Sequence, residues 1–203
     1  MLEASPLTCE RGGRTLFRGL SLAVNEGELL RVAGANGSGK TSLLRILCGL
    51  LSPQSGEVRW KGAPIRSLRE EFNRELVYHG HAPALKDDLT TFENLLIAWL
   101  LAGKGMPVST DALMEALHKL NVPMTSPVKN LSQGQRRRAL LARLVLSDAQ
   151  PLWLLDEPFA ALDSDAARVV EELVAAHVAR GGMVVYTSHQ ESRVAGREIR
   201  LGA

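Results

Sequence analysis

Three short, mostly apolar stretches punctuate this chain, and each gives way to small or acidic residues. Leu29–Ala33 runs into Gly34, Leu152–Leu155 into Asp156, and Met183–Thr187, preceded by the Gly181-Gly182 break, into Ser188. Runs of this length without polar alternation predict strands covered on both faces, as in a parallel sheet. Between them, Thr41–Leu50 carries Leu43, Leu44, Leu47 and Leu50 at helical spacing, and Asp165–Arg180 is a second clear helix. Phe92–Leu101 and Asp111–Leu120 read as two more helices, joined by the breaker-rich Ala102–Pro107. Strand signals are missing from about residue 90 to 131, which predicts a helical insert there. The first 28 residues, and Glu57–Trp60 after the turn Pro53-Gln54-Ser55-Gly56, carry the signals of a small antiparallel layer. The expectation is one α/β domain over 1–203. Residues 1–89 and 132–203 would form a parallel-sheet core with the antiparallel layer, and about 90–131 a helical subdomain.

Composition narrows the partners more than the chemistry. A chain of 203 residues with 45% hydrophobic content can bury a sizeable core. Its net charge of only +2 gives no electrostatic reason to propose nucleic acid. Cys9 and Cys48 are too few for a disulfide framework and lack metal-ligand spacing, so both read as buried small hydrophobes. Met1–Arg14 has no apolar signal core, and the longest apolar run, Leu95–Ala102, is far short of the ~20 residues a membrane span requires. Any pore the chain serves is expected to come from another polypeptide.

The segment after the first strand is Gly34-Ala35-Asn36-Gly37-Ser38-Gly39-Lys40-Thr41-Ser42. It fits the P-loop pattern G-x-x-x-x-G-K-[ST], flanked by the strand and helix that pattern needs. Its glycines let successive backbone N–H groups face phosphate oxygens, and the following helix adds its N-terminal partial charge. Lys40 can bridge β- and γ-phosphates, and the Thr41 hydroxyl can ligate Mg²⁺. Asp156 stands at the carboxyl end of a buried strand, where α/β sheets place ligands. There it suits Mg²⁺, while adjacent Glu157 suits the orienting of an attacking water. Without the P-loop, the Asp-Glu pair would read equally well as a solvated strand end. Ser132 reads as the N-cap of a helix beginning near Gln133, and such a helix start with a nearby glycine is also an anion site.

Taken in order, Gly34–Thr41, Leu131-Ser132-Gln133-Gly134-Gln135, Leu152–Glu157, Ala161-Leu162-Asp163 and Ser188-His189 resemble the motif set of the ATP-binding-cassette (ABC) ATPases over nearly the whole chain. The resemblance implies ATP and Mg²⁺ as ligands and hydrolysis of ATP. It also implies that Ser132, Gln133, Gly134 and Gln135 close on an ATP held by a second copy, that His189 senses the γ-phosphate, and that Asp163 lies at the subunit interface. A homodimer attached through an integral membrane permease, peripheral on the cytoplasmic face of a bacterial inner membrane, follows from the same resemblance. The remaining histidines considered, His79, His118 and His177, read as ordinary residues. Arg136-Arg137-Arg138 reads as a solvated helix face, because consecutive helical residues lie ~100° apart and cannot form one patch.

Three positions depart from the family pattern. Gln133 stands where glycine is usual, so strain is expected if that position needs a positive φ. His81 falls where a glutamine normally approaches Mg²⁺ and water; imidazole is the poorer Mg²⁺ ligand, so His81 is expected to act through water or in coupling. Arg11 falls where an aromatic usually stacks on adenine. Within the family, Cys9-Glu10-Arg11, Gly80-His81-Ala82-Pro83, Pro151–Phe159 and Thr187-Ser188-His189-Gln190 resemble the ATPase subunit of the bacterial cytochrome c maturation (haem export) branch. A drug or lipid exporter's ATPase and a soluble non-transport cassette are the alternatives. The insert, with Phe92, Leu95, Leu96 and Trp99, is expected to dock on the membrane subunit.

Overall fold

A computed structural model describes residues 1–81, 84–102, 108–189 and 194–202. The Ala102–Pro107 joint, Ala82-Pro83 and Gln190, all used in the sequence reading, lie wholly or partly outside that range. In chain order the elements begin with strands β1 (Leu2–Arg11), β2 (Arg14–Val24) and β3 (Leu29–Gly34), then helix α1 (Lys40–Leu47). Strands β4 (Ser55–Trp60) and β5 (Ala63–Pro64), helix α2 (Arg69–Arg74) and strand β6 (Leu76–His79) follow. Next come helices α3 (Thr91–Leu101), α4 (Thr110–Lys119) and α5 (Gln133–Leu141), strand β7 (Leu152–Leu155), helix α6 (Ser164–Ala179), and strands β8 (Met183–Thr187) and β9 (Arg197–Leu201). The chain divides into two compact units: Met1–His81 with Gln150–Pro158 and Ala175–Ala203, and Ala82–Ala149 with Phe159–Val174.

The first unit holds both sheets. The antiparallel one runs β2-β1-β4-β5, and the parallel one β6-β7-β8-β3-β9. Strands β7 and β8 are buried at every residue, which is why their sequences show no polar alternation. The core gathers Leu2, Leu7, Val24, Leu30, Leu43, Leu44, Leu47, Trp60, Leu152 and Val185 around the apolar face of α1. Cys9 and Cys48 are buried free thiols. His177, in the C-terminal turn of α6, stacks flat on Trp153 with ring centroids 3.9 Å apart and an 8° interplanar angle. Strands β6 and β9 and helix α2 are additions to the sequence reading. Leu76–His79 is only one short run, and Arg-Glu-Ile-Arg-Leu in β9 alternates as an edge strand does.

The second unit is helical. Capping boxes start α3 (Thr90 with Glu93) and α5 (Ser132 with Gln135), and Ser109 caps α4. Buried Asn94 accepts from the Lys86 N–H at 2.7 Å and donates to the Lys86 and Thr90 carbonyls at 3.0 and 2.9 Å, tying the approach loop to α3. The burial of α3 and α5 bears on two expectations, and it corrects that of a solvated arginine face. Phe92, Leu95, Leu96 and Trp99 recur at i, i+3, i+4, i+7 and are buried or half-buried, so they serve the unit's own packing. The apolar side chains that α3 exposes are Ile97, Leu100 (64%) and Leu101 (82%), on the other face. Arg136, Arg137 and Arg138 are half-buried rather than solvated. Arg136 pairs with Asp87 at 3.1 Å and donates to the Lys129 and Leu131 carbonyls.

Burial pushes the Cys48 thiol up from 9.0 to about 11. Unfolded chain would ionise near 9.0 while folded protein keeps the proton, so this contribution is complete below pH 9 and lost as pH rises from 9 to 11. Urea denaturation of wild type should lose roughly 2–3 kcal/mol across that window beyond any loss in Cys48→Ala. Parallel alkaline slopes for the two proteins would refute the assignment.

Candidate functional site

Strand β8 lies between β3 and β7, and all three are parallel, so their carboxyl ends open on one edge. At the end of β3 the backbone turns through Gly34 (φ 149°), Gly37 (φ 80°) and Gly39 (φ 100°) before α1 begins. A Cβ on Gly34 would sit 2.7 Å from the Leu201 carbonyl oxygen, and one on Gly39 3.0 Å from Leu16 Cβ. Neither position has room for a side chain. Ala35, Asn36 and Gly37 are exposed, and Thr41 and Ser42 partly so, leaving the first turn of α1 open at its positive end.

Lys40 is buried, and its ammonium donates to the carbonyls of Gly34 (2.8 Å) and Ala35 (3.2 Å). Its Nζ lies 3.9 Å from Glu157 Oε1. At the end of β7, Asp156 is buried and its Oδ1 accepts from the Thr187 hydroxyl at 2.7 Å. The Glu157 N–H donates to the same hydroxyl at 2.8 Å. Glu157 takes φ +50°, a left-handed conformation uncommon for a side chain of this kind. Its Oε2 meets Nδ1 of half-exposed His189 at 3.0 Å. The first unit therefore brings together the P-loop, Asp156, Glu157 and His189. Thr187, to which the sequence assigns no role, joins them.

The outlying positions in this unit are Arg11 and His81. Arg11 is exposed at the tip of the β1–β2 hairpin, opposite Arg14. The hairpin reaches the P-loop with Leu16 and with Phe17, whose ring is buried at Gly39. His81 is exposed just past the carboxyl end of β6, the strand beside β7.

Within the second unit, the Ser132 side chain accepts from the Gln135 N–H at 3.2 Å, and Gln135 Oε1 accepts from the Ser132 N–H at 2.9 Å. Gln133 opens α5 and is not among the residues with positive φ, so the expected strain is absent. The α-carbon of Gly134 faces the Ala161 carbonyl, and Ala161 itself is left-handed (φ 60°). Asp163 Oδ1 accepts from the Ala166 N–H at 2.8 Å, capping α6, and Arg138 lies 4.0 Å from Asp163. The Ser132–Gln135 and Ala161–Asp163 elements are thus neighbours, and Arg138 is a contact the sequence reading did not assign.

A family model described as "ABC transporter" matches residues 17–160. The "Cytochrome c biogenesis ATP-binding export protein CcmA" of Aromatoleum aromaticum is 52% identical over 194 residues, covering 95% of this chain and 90% of its own. The protein of the same name from Pseudomonas aeruginosa is 48% identical over 206 residues and is covered completely on both sides. Among solved structures, a bacterial ABC transporter cassette crystallised as a dimer superimposes with a TM-score of 0.87 at 24% identity, over 99% of this chain and 94% of that one. The superposition carries the fold.

Ser132→Ala removes one half of the α5 capping box and should cost about 1 kcal/mol in urea denaturation. Gln133→Gly, which supplies the glycine usual at this position, should bring no gain and lose up to about 1 kcal/mol, because the backbone here is helical. A stabilised Gln133→Gly would show that the helical geometry at residue 133 is strained.

Proposed function

This chain belongs to the ABC transporter family, a family of ATP-binding ATPase subunits, and from that membership we propose that it powers the membrane complex of cytochrome c maturation, in haem export or release of haem-loaded chaperone. The observation that carries the reading is the convergence of Lys40 and His189 on Glu157, at 3.9 and 3.0 Å, beside the P-loop. The share of identity with the CcmA proteins supports the branch.

In this reading the N–H groups of 34–42 and the α1 N-terminus hold the phosphates, and the Lys40 ammonium moves from loop carbonyls to the β- and γ-oxygens. Asp156 and Thr41 offer hard oxygen donors, a set that fits Mg²⁺. Bound there, the ion would neutralise charge developing on the phosphates. Glu157 orients and polarises the water that attacks the γ-phosphorus; the bond to the ADP oxygen breaks, and phosphate leaves. His189 holds the Glu157 carboxylate and reports the γ-phosphate. His81 acts through water or in coupling, and the Arg11 guanidinium stacks on the base. Residues 1–203 then make one ATP-binding domain, with about 90–131 as its helical subdomain.

Ser132, Gln133, Gly134, Gln135 and Asp163 belong at the interface, where α5 of one copy presents its N-terminus to ATP held by the other. No helix among the described residues is long and apolar enough to cross a membrane. A permease therefore holds the ATPase at the cytoplasmic face of the inner membrane. Exposed Leu100 and Leu101 and the loop from His81 to Leu89 are the surfaces proposed to meet it.

Glu157→Gln removes the orienting carboxylate while keeping its size. Hydrolysis should fall about a hundredfold or more with binding retained, and the variant should run as a dimer in Mg-ATP and a monomer without it. Lys40→Ala should be monomeric in both. Light scattering decides: a Glu157→Gln variant that binds ATP tightly yet stays monomeric refutes the self-sufficient homodimer. For docking, Ala84→Glu and Leu101→Glu should free the protein from membranes with ATP binding intact. Retention of both at wild-type levels would overturn these surfaces.

A further inference from the structure

Thr187 closes β8 fully buried, in a strand whose other residues are all apolar or aromatic. A buried hydroxyl is unfavourable unless it is bonded, and this one is bonded twice. It donates to Asp156 Oδ1 at 2.7 Å and accepts from the Glu157 N–H at 2.8 Å, using its one proton and one of its lone pairs. Only Thr or Ser can do both at this size; a valine of the same shape could do neither. The two groups it grips flank a single peptide, the Asp156–Glu157 unit. Glu157 is left-handed at φ +50°, a conformation that persists in a non-glycine residue only where the surroundings fix it. The N–H held by Thr187 belongs to that same residue, so the hydroxyl restrains the rotation that sets where the Glu157 side chain departs. From that backbone the carboxylate reaches His189 and Lys40.

We propose that Thr187 is a positioning residue for ATP hydrolysis: by bridging the Asp156 carboxylate and the Glu157 N–H, its hydroxyl aims the Glu157 carboxylate at the attacking water. The inference rests on the reading of Glu157 as the group that orients water. It assigns Thr187 its main part in turnover rather than in nucleotide binding, because its contacts are to the carboxylate pair and not to the phosphate loop.

The test compares Thr187→Val, which keeps the shape and loses both bonds, with Thr187→Ser, which keeps the hydroxyl, in the full chain purified with its membrane partner. Thr187→Val should bind Mg-ATP within about twofold of wild type and keep its KM, while kcat falls about tenfold to a hundredfold, the loss of a buried hydrogen bond felt mainly in the transition state. Thr187→Ser should recover most of that kcat. Combining Thr187→Val with Glu157→Gln should add nothing to the loss in Glu157→Gln alone, since both act through one carboxylate. Wild-type kcat in Thr187→Val overturns the proposal. So does a fall in binding that matches the fall in kcat, a Thr187→Ser variant no better than Thr187→Val, or fully additive losses. A wild-type complex that binds ATP without turning it over would instead remove the ATPase reading, and this inference with it.

Discussion

The register of three parallel strands is what the site depends on. Val32 lies beside Thr187 and Leu155 beside Tyr186, so backbone hydrogen bonding alone sets the P-loop, the Asp156-Glu157 pair and the Ser188-His189 turn on one edge. Shifting any of the three by one residue would turn its side chains to the opposite face. Every side chain in β7 and β8 is buried, so a slipped strand would have to repack residues of different size on both faces. Packing and chemistry are therefore coupled at the strand ends: the apolar residues fix the register, and the register places the charges.

Those charges lie in a poorly hydrated setting, where unpaired ions are costly. Each described charge at the strand ends has a partner. Lys40 rests on two carbonyls and near Glu157, Asp156 accepts from Thr187, and Glu157 meets His189. The left-handed backbone at Glu157 breaks a local rule beside the P-loop, at the residue proposed to orient water. The capping box on α5 and the stacked Trp153–His177 pair keep to the ordinary rules.

The sequence made the buried strands and long helices legible because their periodicity is strong and their ends are marked by glycine or acid. It hid β6, β9 and α2, which are short or edge-like and owe their existence to neighbours: β6 pairs with β7, and β9 with β3. In the site, the motifs pointed to Lys40, Asp156, Glu157 and His189, which the structure brings together within one unit. Thr187 stands in the Thr187–Gln190 run without a role of its own, because nothing local distinguishes a strand-ending threonine from a β-branched filler; the role proposed for it rests on the parallel pairing of β7 and β8. The strain expected at Gln133 failed for a related reason. A motif's usual glycine does not imply a left-handed backbone, and here the residue is the first of a regular helix.

The sheet order also governs when the phosphate loop can exist at all. Among the described residues, strand β3, which aims the loop, pairs with β8 and β9, so that Leu29 waits for Val184 and Leu30 for Arg197. During synthesis at roughly 5–20 residues per second, β3 therefore emerges well before any partner. The early β1–β2 hairpin and the helices can form in the meantime from local contacts, but the nucleotide loop cannot be held open by its strand. A nascent chain can thus set the strand that aims this loop into its sheet only after β8 and β9 have been made.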